Sequence, residues 1–299
     1  MRGLIRTVIG VVSLAAGSWV GLHRSPDPPK PPAPPPAKTS AQELSPPPQV
    51  HVRSLRPWPQ LNPEASLKQA WALAEGPHKQ GDDRRRLVTL TFDDGPFPET
   101  TPAVLRELAR YKVRATFFVI GRYLDGDDER AIATQKVLRD IVAAGHLVGN
   151  HTHDHMRLHA IPAQRILDQI DRGSASIERV IGKRPILFRP PYGELDDFGR
   201  EVVKQRGLDL VLWGVEAQDM ERDDTQSMYR DLVRQIDHKE GGIVLLHDIR
   251  WSSVKLLRKL LARLEERKYD PSQPDRWGYE VVDLPQYLRE VAAAPPEGS

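Results

Sequence analysis

From Leu87 onward, short apolar runs alternate with amphipathic segments. That alternation limits the chain to parallel strands covered by helices. Strands are expected at Leu87–Thr91, Ala115–Ile120, His146–Gly149, Ile186–Phe188, Leu210–Trp213, Ile243–Leu246 and Tyr279–Val282. Thr101-Pro102 reads as an N-cap and first helical residue before AVLRELARY. Further helices are expected at Asp127–Ala144, Pro162–Ile181, Asp223–His238, Ser252–Arg267 and Leu284–Ala293. Gly145 and Gly182 stand where the first and second of these should stop. Seven strand–helix units describe an α/β fold with a parallel sheet, open or closed into a barrel.

In parallel β/α folds, sites form at the C-terminal ends of the strands. Five of the seven expected strands deliver ionisable residues there: Asp93-Asp94, His151 to His155, Arg189, Asp219 and His247-Asp248. Asp93-Asp94 beside Gly95-Pro96 has an ordinary reading as a tight turn. Two adjacent carboxylates leaving one strand repel, however, unless a cation sits beside them. His146, His151, His153, His155 and His159 crowd a short stretch. His151 and His155 are four apart, so one helical turn places both on the same face, with His153 pointing elsewhere. Two imidazoles and a carboxylate leave open coordination positions, the pattern of a catalytic metal site. His146, His153 and His159 read individually as ordinary histidines without a ligand role.

These residues carry a resemblance. Thr91-Phe92-Asp93-Asp94-Gly95-Pro96, His151-Thr152-x-x-His155, Arg189-Pro190-Pro191-Tyr192-Gly193, Asp219 and Leu245-Leu246-His247-Asp248 resemble the five ordered motifs of the polysaccharide deacetylases. That family is also called the NodB homology domain, or carbohydrate esterase family 4. The resemblance runs over residues 86–292 and implies a distorted (β/α)7 barrel. It implies Asp93 as general base, with Asp94, His151 and His155 as ligands of one divalent metal, zinc before cobalt, manganese or iron. It implies Arg189 as the partner that holds Asp93 ionised, His247 as general acid, and Asp219 as the group that keeps His247 protonated. Tyr192 would lend its backbone N–H to an oxyanion hole, Leu245 would line the acetyl pocket, and Pro191 would lie against substrate. The family's fourth motif has Trp directly after its Asp. Here Met220 stands there, which bears on substrate shape rather than on the chemistry.

The chemistry is coherent on physical grounds. Hydrolysis of an amide needs a strong nucleophile, and a metal lowers the pKa of water from about 15.7 toward ~7. The amine leaves only when protonated, so a base and a separate acid must hold opposite protonation states. A cation beside Asp93 and an anion beside His247 bias them that way.

Ahead of this domain the composition changes. Residues 1–24 carry a basic start, MRGLIR, and an uncharged run over residues 7–22. That run spans about 24 Å as a helix, short of the ~30 Å hydrocarbon core. A secretory signal or an uncleaved signal-anchor is expected. Residues 25–49 hold eleven of the 27 prolines and read as a polyproline II tether. Extended, it would reach about 75 Å. Residues 50–85 form an irregular extension with a helix candidate near Ala65–Ala74, and residues 293–299 a tail. The first 50 residues carry five Lys/Arg against two Asp/Glu, although the whole chain nets only +2. The remainder is therefore slightly acidic, which removes the case for a nucleic-acid partner. With no cysteine, disulfides, thiolate metal sites and thiol nucleophiles are excluded.

Together these features predict an exported, periplasmic, cell-envelope or secreted metal-dependent N-deacetylase. Its substrate would be an N-acetylated polysaccharide, peptidoglycan ahead of chitin-type oligomers. Membrane contact would come only through residues 1–24, if uncleaved. The alternatives are an O-acetyl esterase on a polymer such as xylan, or a carbohydrate-binding protein on the same fold without catalysis.

Overall fold

The computed structural model describes residues 85–273 and 275–292. The expected signal or anchor, the proline-rich tether, the Ala65–Ala74 helix and the tail lie outside them. Eight strands form one parallel sheet: β1 (Arg85–Asp93), β2 (Thr116–Val119), β3 (Leu147–Asn150), β4 (Leu187–Phe188), β5 (Asp209–Leu210), β6 (Val215–Glu216), β7 (Gly242–His247) and β8 (Gly278–Val281). Seven helices accompany them: α1 (Thr101–Arg110), α2 (Glu129–Ala143), α3 (Ala163–Ile181), α4 (Asp197–Gln205), α5 (Thr225–His238), α6 (Trp251–Glu266) and α7 (Leu284–Ala292).

The strand order is β5-β4-β3-β2-β1-β7-β6, with β8 added along the first half of β1. The eighth strand corrects the expectation of seven: of the expected strand Leu210–Trp213 only Leu210 is in a strand, β5, and an unexpected strand, β6, follows beyond it. Strand β5 pairs with β4 and β6 pairs with β7. Residues Val211 to Gly214 run between them, so one extended segment links the two edges of the sheet. Val211 N–H donates to Phe188 O at one side of the break, and Gly214 N–H to Ile243 O at the other. The result is a distorted barrel.

Every residue of β1 from Leu87 to Asp93 is buried, as expected for a strand covered on both faces. Side chains alternate between those faces. Leu90 and Phe92 pack outward with Phe117, Val244 and Leu246 under the helices. Leu87, Phe118, Leu187, Val211 and Ile243 pack inward with Leu284, Tyr287 and Leu288 of α7. That helix plugs the barrel at the start of β1, so the opposite end is left for chemistry. Gly149 is required beside this core, because a Cβ there would lie 2.5 Å from the Phe118 ring.

Two local expectations change. The cap of α1 is Thr100, and Thr101 is already helical. The Thr101 hydroxyl is committed elsewhere, donating to the Asp248 carboxyl. Helix α4 was not expected. It is capped by the Asp196 side chain, which accepts from Gly199 N–H at 2.8 Å.

Candidate metal centre and acid–base pairs

Along β1 and β7 the register pairs Thr91 with Leu245 and Asp93 with His247. These four therefore share the inward face, with Asp93 and His247 at the rim. Leu245 is buried one step below His247. Arg189, directly after β4, is fully buried beside them. Its guanidinium donates to Asp93 Oδ1 and Thr91 Oγ1 at 2.8 Å each, and to Val211 O and Leu212 O at 3.0 Å each. It lies 4.2 Å from the centre of the Phe118 ring. Four hydrogen bonds and an aromatic floor fix this charge, which allows it to be buried.

Asp94 turns the other way, in a left-handed conformation with φ 73°. Its Oδ1 is buried and takes no hydrogen bond. Yet His155 Nε2 lies 3.1 Å and His151 Nε2 3.5 Å from that same oxygen. His151 Nδ1 is 2.7 Å from Arg189 O. A carbonyl only accepts, so Nδ1 carries the proton and Nε2 turns its lone pair toward Asp94. An orphaned buried carboxylate oxygen facing imidazole lone pairs is a donor set that fits a divalent cation. Among the described residues, Asp94, His151 and His155 are the group whose ligand atoms converge in this way, all within 4.8 Å of one another. Burial pushes Asp94 upward, but with no cation in place protonated His151 and His155 fill the cation's role and hold its carboxyl well below the usual range.

The helical turn expected from the His151/His155 spacing is absent. Both residues lie in a loop after β3, and Thr152 and His155 adopt left-handed conformations with φ 67° and 57°. The two rings still meet edge to face, 5.1 Å apart. Of the eight non-glycine residues with positive φ among the described residues, Asp94, Thr152, His155, Ala160, Tyr192 and Gln218 sit in the loops after the strands. Backbone strain thus concentrates where the polar residues converge. His146 is buried at the far end of β3, where its Nδ1 accepts from Ala115 N–H and burial lowers it to about 4. His159 is exposed, and His153 points away from Asp94.

His247 Nδ1 lies 2.8 Å from Asp219 Oδ1. Asp219 is fully buried and also accepts from His247 N–H at 2.9 Å and from the Ser253 hydroxyl at 2.6 Å. Burial lowers His247, but Asp219, with Asp94 and Asp93 behind it, raises it to about 9. His247 Nε2 faces Asp94 Oδ2 at 3.8 Å. The rim around this centre is apolar and exposed at three points, Tyr192, Met220 and Trp251. Tyr192 has φ 60° and stands edge-on to His155. Pro191, the residue before it, is buried.

Three contributors were given no role from the sequence. Thr91 and Asp248 were named there only as members of motifs, and nothing in the local sequence marks Ser253; Thr91 supports Arg189 and Ser253 supports Asp219. Asp248 is fully buried and pushed up by burial to about 7, with the hydroxyl of Thr101 donating to it. It ties the start of α1 to the end of β7.

Comparison with known proteins places the chain among relatives. The family model described as "Polysaccharide deacetylase" matches residues 80–211, which include β1 to β5. A peptidoglycan-N-acetylglucosamine deacetylase of Bacillus cereus is 33% identical over 212 residues, 69% of this chain and 90% of the relative. The peptidoglycan-N-acetylmuramic acid deacetylase PdaC of Bacillus subtilis is also 33% identical, over 70% of this chain but only 40% of its own length. Among solved structures, a family 4 pseudoenzyme from Bacillus anthracis superposes with a TM-score of 0.59 at 25% identity, covering 71% of this chain and 68% of that one. One-third identity over nine-tenths of a relative, with the ordered motifs meeting at one rim, makes this chain a member of the polysaccharide deacetylase family.

Proposed function

We propose that the chain is a metal-dependent N-deacetylase acting on a cell-wall polysaccharide, with peptidoglycan as its substrate. The observation that carries this reading is the pairing of opposite charges around one donor set. Asp93 is held by a guanidinium, His247 by a carboxylate, and Asp94, His151 and His155 converge between them. These three residues would hold the metal, zinc by the donor set. When bound, the metal supplies Lewis-acid polarisation and lowers the pKa of water.

The protein's own groups do the rest. Asp93 accepts the proton of the attacking water at Oδ2, since Oδ1 is taken by Arg189. The Tyr192 N–H faces the developing oxyanion. His247, with Asp219 on Nδ1, delivers its Nε2 proton to the leaving nitrogen. Leu245 lines the acetyl side, while Pro191, Tyr192, Met220 and Trp251 contact the glycan. An unbranched methionine at the rim can move aside for a bulky polymer. Two relatives named for peptidoglycan deacetylation support the same substrate. Residues 1–24 and the tether would hold the enzyme in the cell envelope.

Acetate release from peptidoglycan, chitin oligomers and acetylxylan tests this directly. Release is expected to be fastest on peptidoglycan, to stop on chelation and to return with Zn²⁺. Faster release from acetylxylan would instead assign an O-acetyl esterase. Zinc uptake with no acetate from any of the three would assign a carbohydrate-binding protein.

The acid makes its own demand on pH. His247 is raised, so it is protonated, and able to act, below about pH 9 and loses that ability as pH rises through that value. In Asp219→Asn the main raising influence is gone, so the alkaline limb of the pH–rate profile should move down toward ~6.5. An unchanged limb would remove His247 from the role of acid.

A further inference from the structure

His153 stands between His151 and His155 but turns its ring out of the metal centre. It is only 3% exposed. Its Nε2 lies 2.7 Å from Asp125 Oδ2, and its Nδ1 lies 2.8 Å from Asp154 Oδ1. Each ring nitrogen therefore sits within hydrogen-bond distance of a carboxylate oxygen. Asp125 follows the short turn Gly121–Leu124 after β2, so the ring joins that turn to the histidine loop. Each carboxylate is itself secured. Asp125 Oδ1 accepts from Ser176 Oγ and Arg179 Nη2, both at 2.7 Å. Asp154 Oδ2 accepts from Gln169 Nε2 at 2.7 Å, while Asp154 N–H donates back to Gln169 Oε1 at 2.8 Å. Arg172 Nη2 closes the outer side, 3.2 Å from His153 Nε2.

The backbone is gripped as well. Gly121 N–H donates to Thr152 O at 3.0 Å, and Arg122 N–H to His153 O at 2.9 Å. On α3, Gly173 lets the helix close on this loop, since a Cβ there would lie 2.8 Å from Thr152 C. The loop needs such support, because Thr152 and His155 both hold left-handed conformations that cost free energy.

We propose that His153 is a positioning residue for the metal centre: its ring spans Asp125 and Asp154 and holds the strained loop that delivers His151 and His155 to Asp94. The inference rests on the metal-binding reading above. Outer partners that fix metal ligands typically carry about 10–100-fold of metal affinity.

The test is Zn²⁺ affinity of the metal-free full-length protein, measured by competition with a chromophoric chelator. His153→Ala should weaken affinity by about 10–100-fold. Asp154→Asn, a milder change at a partly exposed residue, should weaken it in the same direction. Because one bridge is being cut, Asp125→Ala with His153→Ala should cost little more than His153→Ala alone. Melting of the metal-free samples provides the control for a purely structural role. Lower melting temperatures with unchanged zinc affinity in His153→Ala would overturn the proposal. If that variant does not fold, unchanged affinity in Asp154→Asn would overturn it. A wild-type protein that takes up no zinc would overturn both this proposal and the reading beneath it.

Discussion

Asp93→Asn is expected to lower kcat by about 10²–10⁴-fold while zinc still binds at Asp94, His151 and His155. The asymmetry follows from how the two carboxylates divide their work. Asp93 Oδ1 accepts from Arg189, and Oδ2 is the oxygen left toward the centre, 3.7 Å from His151 Nε2. An asparagine carbonyl can still accept from the guanidinium, so the packing below the site survives. The amide in the Oδ2 position cannot take a proton from water. Turnover and zinc stoichiometry measured on the same preparation decide the matter. Loss of zinc in Asp93→Asn would move Asp93 into the ligand set, and retained turnover would show that another group is the base.

Arg189→Met is expected to lower stability by about 3–5 kcal/mol, the scale for removing one member of a buried ion pair. Methionine fills much of the volume but leaves Asp93, itself 2% exposed, without its cation. The Val211 and Leu212 carbonyls lose their donor in the same step. Urea denaturation gives the measurement, read as a shift of the midpoint at constant slope. Arg189→Lys should recover only part of the loss, because an ammonium cannot serve the two carbonyls, the hydroxyl and the carboxylate with a planar fork. A methionine variant as stable as wild type would mean that the pair contributes nothing to folding.

The parts of this protein legible in the sequence are those written as local patterns. The apolar run of β1 and the glycines closing α2 and α3 are of that kind. So are the residue types at the strand ends, because a parallel strand delivers its last residues to one rim whatever the helices do. Helix α4 escaped because it is nine residues long, carries Gly199 near its start, and buries only Val202 and Val203 as apolar residues. The break between β5 and β6 escaped because pairing switches from β4 to β7 within a single extended segment, and no local signal records a change of neighbour. The spacing of His151 and His155 suggested a helix. Left-handed threonine and histidine residues leave no mark in sequence, so the loop that replaces that helix became visible only in three dimensions. His153 was read as ordinary for the same reason, since Asp125 lies far from it along the chain.

The broken strand has a consequence for how such sequences diverge. Val211 and Leu212 occupy the break, and their carbonyls, released from any ladder, are taken up by Arg189. One side chain thus closes the sheet and faces the base. A descendant that abandoned turnover would still face selection for a folded barrel at Arg189 and, because that charge is buried against Asp93, at Asp93 as well. Survival of the pair in a related sequence is therefore a record of architecture, and by itself it says nothing about living catalysis.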